Sequence, residues 1–188
     1  MSLRQPFKMF HLQFIPLLLM MLVLTNILGA PVSASEPKPK LMVLDFQLND
    51  MTGLPNAPEE IKRISFLSST HKQKLAEHGL EIVPVNELLK AAMKDQSATY
   101  LFDNVETAAE LAKDSGAEYL LICVALKPTY LFVYPRILLV DIHTKKVVLA
   151  KAAQLESSWS DENTTVRTAE KLAEMVSEFF GKNQISKQ

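Results

Sequence analysis

The chain is poor in the residues that much protein chemistry needs. It has one cysteine and five glycines in 188 residues. The single cysteine, Cys123, excludes an intramolecular disulfide and leaves no cysteine near the N-terminus for lipid attachment. The few glycines form no Gly-x-Gly-x-x-Gly and no Walker A loop, so no phosphate cradle and no cofactor are implied. A Gly-x-Ser-x-Gly elbow is also missing. His11, His71, His78 and His143 have no zinc spacing, and no run of alternating acids around a glycine makes a calcium loop. Excess charge of one sign is lacking too. With 20 basic and 21 acidic residues, the chain carries no signal for binding nucleic acid.

The first 34 residues do carry a specific signal. Arg4, Lys8 and His11 form a charged start, Phe14 to Leu24 is apolar apart from Pro16, and Val32-Ser33-Ala34 is a small-residue exit. This is the pattern of a secretory signal peptide, with cleavage after Ala34 or Ser35. Kept uncleaved, the segment becomes a membrane anchor, although its apolar run is shorter than the ~20 residues of a spanning helix. Cleavage predicts a periplasmic protein that is not a lipoprotein, and membrane contact is expected only while the signal remains uncleaved. It also leaves 18 basic and 21 acidic residues.

Ser35 to Lys40 reads as an extended polar linker, 41–181 as a single α/β domain, and 182–188 as a frayed tail. The domain is organised around Ala117–Leu126, which is apolar after Glu118 without alternation, as a strand buried on both faces is. Leu41–Leu48 predicts a first strand. A helix follows from an Asn56 cap through Ile61, Ile64, Leu67 and Leu75 to Gly79. Leu80–Val83 is a short strand, Asn86 caps a brief helix, and Lys94–Phe102 reads as an irregular, mobile link. Asp103 and Glu106 have capping-box spacing for a helix that ends at Gly116.

Lys127-Pro128 is expected to end the central strand. Thr129–Ile142 and Val147–Ser157 then form a hairpin, with Pro135 marking an edge position or a bulge. A last helix runs from Asp161 to Phe180 with Val166, Ala169, Leu172, Ala173, Val176, Phe179 and Phe180 inward, and Gly181 stops it. The fold class is α/β, with α+β as the variant. It comprises a mixed sheet of about five strands with a C-terminal β-hairpin, covered by three to four helices.

Candidate site residues are few. Asp45 and Asp50 lie at the end of the first strand, where α/β sheets place their sites, although a turn or helix-capping role is the simpler explanation of both. Tyr130, Phe132, Tyr134 and Arg136 are residue types favoured where a partner covers a surface, and Trp159 precedes the last helix. Cys123 reads as core packing, and His71 as a buried, hydrogen-bonded side chain.

The phrases Val43-Leu44-Asp45-Phe46-Gln47-Leu48-Asn49-Asp50, Ala112 through Leu121 with its Gly116-Ala117 step, Leu139-Val140-Asp141-Ile142 and Ser158-Trp159 resemble a family of small secreted bacterial proteins of unknown function. The chain departs from that pattern at Thr107–Leu111, which lacks a cysteine, and at Lys145-Lys146, which lacks a glycine. The order of elements also resembles the N-terminal domain of the translocation protein TolB and related envelope lipoproteins. The resemblance implies a TolB-N-terminal-like module that binds a periplasmic or envelope protein. It further implies an accessory or assembly role, with periplasmic methanol and other quinoprotein dehydrogenase systems as one setting. Three readings follow. The first is a non-enzymatic interaction module, the second a small-ligand or metal-binding protein with its site near Asp45 and Asp50, and the third a hydrolase, for which no nucleophile–base pair can be assembled.

Overall fold

The computed structural model describes residues 38–155 and 161–185. The signal segment 1–34, the first part of the linker, Trp159 and the end of the tail lie outside the described residues. Among those described, six strands form one mixed sheet and five α-helices cover it. In chain order these are β1 (Lys40–Val43), β2 (Gln47–Asp50), α1 (Pro58–Glu77), β3 (Glu81–Val83), α2 (Glu87–Asp95), α3 (Tyr100–Asp103), α4 (Val105–Ala112), β4 (Tyr119–Thr129), β5 (Phe132–Asp141), β6 (Lys146–Ala152) and α5 (Glu162–Ile185).

The sheet order is β3-β1-β4-β5-β6, and β2 also pairs with β4. Strands β1 and β2 run parallel to β4, while β5 and β6 add the antiparallel hairpin. Strand β4 is buried on both faces, as its unbroken apolar run predicts. Leu121, Cys123 and Ala125 meet the core under α1 and α5, and Leu120 and Ile122 meet the core under α2–α4.

The first strand is broken rather than continuous. Val43 pairs with Leu121 and Gln47 with Val124, so the β1–β2 side holds one residue more than β4 between those rungs. That bulge changes which residues face the α1/α5 core, from Leu41 and Val43 in β1 to Phe46 and Leu48 beyond it. Asp45 is turned out to solvent, and the Phe46 N–H, lost to the sheet ladder, donates to Ser68 Oγ at 2.9 Å.

Helix α1 begins one residue later than the Asn56 cap predicts. Ala57 is the cap, Pro58 fills the first turn, and Glu60 Oε2 accepts from the Ala57 N–H at 3.2 Å. Its inward stripe is Glu60, Ile64, Leu67, His71 and Leu75, which leaves Ile61 facing out. Asn86 caps α2 as predicted, accepting from the Leu89 N–H. The expected mobile link is instead partly helical, because Leu101 is buried in the second core and holds α3 there. Asp103 closes α3, and Asn104 precedes α4 without a side-chain cap bond, so no capping box forms at 103–106.

Three further expectations change. Strand β4 runs past Pro128 to Thr129, with the proline inside a second irregularity after Leu126. Pro135 lies on an interior strand. The ladder tolerates it because β6 ends opposite Arg136, and the Pro135 carbonyl still accepts from the Ala153 N–H at 2.9 Å. Helix α5 continues through Gly181 to Ile185, and its early inward positions are Thr164, Thr165 and Thr168 rather than Val166.

Candidate functional site

At one end of the sheet a lysine is taken out of water. Lys127 follows Cys123 and Ala125 on the β4 face turned toward α1 and α5, and it is 3% exposed. Its Nζ donates to Asp50 Oδ2 at 2.8 Å and to Glu60 Oε1 at 2.6 Å. Asp50 arrives from the position on β2 paired with Lys127, and Glu60 from the first turn of α1. Glu60 therefore caps its helix with one oxygen and holds the lysine with the other. Asp50 Oδ1 accepts from both the N–H and the Oγ–H of Thr52, so both of its oxygens are engaged.

A polar layer continues behind this trio. Arg63 is buried, its Nε donates to Thr165 Oγ1 at 2.8 Å, and its Nη2 reaches the Asp161 carbonyl at 3.5 Å. Asp161 caps α5 by accepting from the Thr164 N–H and Oγ–H. The first turns of α1 and α5 are thus joined to the sheet end through charge-assisted hydrogen bonds.

Burial alone would raise the Asp50 carboxyl, but hydrogen bonds from Lys127 and Thr52 hold it down to about 2. Burial alone would lower the Lys127 ammonium, and its bonds to Asp50 and Glu60 raise it instead. Near neutrality the Asp50–Lys127 pair stays charged and has no proton to exchange, so it serves to hold the structure rather than as an acid or base. Cys123 follows the same logic, since burial pushes its thiol well above the ordinary range and away from the reactive thiolate. His71 is fully buried. Burial lowers its imidazole to about 4, and its Nδ1 lies 3.1 Å from the Ala169 carbonyl as a donor. Among the described residues no three His, Cys, Asp or Glu side chains are grouped to hold a metal.

Above the trio the chain leaves the sheet in two loops. The Met51 N–H donates to the Lys127 carbonyl at 3.0 Å, which places 51–58 beside 128–135. Neither stretch contains a charged residue. Met51, Leu54, Tyr130, Leu131 and Phe132 are exposed there, Tyr130 by 69% and Met51 by 65%. The last charges before this end, Asp50 and Lys127, are neutralised against each other inside.

The site residues expected from the sequence therefore divide. Tyr130 and Phe132 lie in the apolar end, and Tyr134 continues from it half-buried, its ring 6.4 Å from that of Phe132. Arg136 lies farther down β5, where its guanidinium stacks 4.9 Å over the Phe102 ring. Asp45 and Asp50 are not brought together, because the bulge sends Asp45 to an exposed pair with Lys72 at 2.7 Å. Sequence reasoning missed Lys127, Glu60 and Arg63. The signal for Lys127 was its register, two residues beyond Ala125 on a buried face.

A family model described as a protein of unknown function (DUF2380) matches residues 39–174, from the first strand to the middle of α5. The chain belongs to that family, DUF3280. This agrees with the resemblance to a family of unknown function read from the sequence. No curated protein shows significant similarity to this DUF3280 member. Among solved structures it is similar to the LpoB C-terminal domain from Salmonella enterica, at 18% identity and a TM-score of 0.44 over 73% of this chain and 96% of that one. It is also similar to lipoprotein GNA1162 from Neisseria meningitidis, at 16% identity and a TM-score of 0.46 over 78% and 96%. A third likeness is to TolB from Acinetobacter baumannii, at 15% identity and a TM-score of 0.41 over 78% of this chain and 28% of that one. Among the described residues no helix is long and apolar enough to cross a membrane.

Proposed function

We propose that this protein is an exported, non-enzymatic interaction module, an accessory or assembly factor of an envelope or periplasmic system. Its signal segment is removed after Ala34 or Ser35, and its domain binds a protein partner through the apolar end of the sheet. The observation that carries this reading is the uncharged pair of loops, with Met51, Leu54, Tyr130, Leu131 and Phe132 exposed above the buried Asp50–Lys127–Glu60 trio. Apolar and aromatic side chains exposed together at one end of a domain are the usual mark of a surface that a partner covers. A periplasmic quinoprotein or methanol dehydrogenase system is the specific setting implied by the sequence resemblance.

The test is a crosslinked pull-down from periplasm with the wild-type chain and with Leu54→Lys/Leu131→Lys, two exposed changes that leave the core untouched. A partner captured reproducibly by the wild type and lost by the double variant supports the reading. Failure to capture any reproducible partner, or capture that the variant leaves unchanged, counts against it.

A further inference from the structure

The crossover of the sheet lies elsewhere, at the carboxyl end of β1. From β1 the chain passes through α1 to β3 on one side, and from β3 through α2–α4 to β4 on the other. The two connections cover opposite faces. Open α/β sheets bind ligands in the crevice that such a reversal leaves. Here β3 ends at Val83, so β2 has no neighbouring strand on its outer side among the described residues. A cleft of about 470 Å³ opens there between β2 and α2.

Its charge is one-sided. Lys72, Lys90 and Lys94 line it against the single carboxylate of Asp45, with Val85 and Met93 as an apolar wall. Lys94 makes no ion pair among the described residues, and Lys90 pairs only with Glu87, which is 87% exposed. Lys72 already holds a carboxylate, that of Asp45, which the bulge places at the mouth. A cleft of similar size at the opposite end of the sheet has no such bias, with Glu110, Glu118 and Asp141 alongside Lys113 and Lys145.

We propose that the crossover cleft binds a compact oxyanion, a carboxylate or phosphate on a short organic body. Lys90 and Lys94 supply charge, and Lys72 exchanges Asp45 for the ligand. This does not depend on the partner-binding reading, since the apolar end is not part of the cleft.

The test is amide NMR titration at low ionic strength with succinate, glycerol 3-phosphate and inorganic phosphate in separate arms. Saturable shifts confined to 45–47, 72, 85 and 90–94 are expected. Lys90→Gln/Lys94→Gln, both solvent-exposed, should weaken binding about tenfold or more, and Asp45→Asn should tighten it by removing the competing carboxylate. Response to succinate alone or to a phosphate alone assigns the ligand's headgroup. The proposal is overturned if no arm saturates by about 10 mM. Shifts as large around Lys113 and Lys145, or binding that the double variant leaves intact, overturn it equally.

Discussion

Asp50 and Glu110 are both held down to about pKa 2, and they arrive there by different routes. Glu110 is a surface carboxylate bonded by two ammonium groups, those of Lys113 and Lys145, and all three side chains are about half exposed. Asp50 is a buried carboxylate that burial would push upward, and hydrogen bonds from one shared lysine and from Thr52 overturn that tendency. One trio is an acid between two lysines, the other a lysine between two acids. The titration value alone does not distinguish them. Loss of a partner does, because a surface charge turns back to water and a buried one cannot.

The sharpest way to break the comparison is Lys127→Met, which leaves Asp50 and Glu60 buried without a counter-charge. It is expected to cost about 3–5 kcal/mol of stability in urea unfolding, with much of that recovered in Lys127→Met/Asp50→Asn/Glu60→Gln. A single-variant cost below about 1 kcal/mol would make the buried trio no different from a surface pair.

Acid comes next. His71 folds neutral with its pKa lowered to about 4 from 6.5, so the unfolded chain binds the proton first as pH falls. Stability is therefore expected to fall by about 3 kcal/mol between pH about 6.5 and about 4. Asp50, lowered from 3.8 to about 2, withdraws its own contribution only below that window. Urea midpoints measured across pH should show the first loss flattened in His71→Gln and the second in Asp50→Asn. An unchanged profile in His71→Gln would remove the imidazole from the account.

The smallest effect is on the surface trio. High salt should return the Glu110 carboxyl toward its ordinary value in NMR titration while leaving Asp50 low, and Glu110→Gln should leave the urea midpoint unchanged within error. If both carboxyls rise together in salt, the two trios are electrostatically alike.

Much of the frame was legible in the sequence. The unalternating run at 117–126 gives the central strand, and the turn formers at 141–146 give the hairpin. Asn86 and Asp161 give two helix starts. What escaped depends on tertiary placement. Lys127-Pro128 looks like a strand stop, because nothing local says that acids from β2 and α1 converge on the lysine. Ile61 looks like a core residue until Glu60 and Arg63 are seen to occupy the inward positions around it. Asp50 is legible in position but not in role. The turn formers of 45–58 mark a possible recognition loop, but nothing local places its Met51 and Leu54 beside the aromatic stretch at 130–132. Those two stand in a loop whose neighbour across the sheet lies far away in sequence.

The bulge at Asp45 has a consequence for how this protein tolerates insertions and deletions. Removing that one residue would leave three steps from Val43 to Gln47, matching the three from Leu121 to Val124. Phe46, Leu48 and Asp50 would keep the faces and rungs they hold now. Removing a residue within β2 instead would turn part of that strand over, exchanging inward and outward side chains. Asp45 is thus a supernumerary position in the sheet's phase. It is free to change or vanish without recoding the core, and is therefore a place where selection for binding can act with little interference from selection for folding.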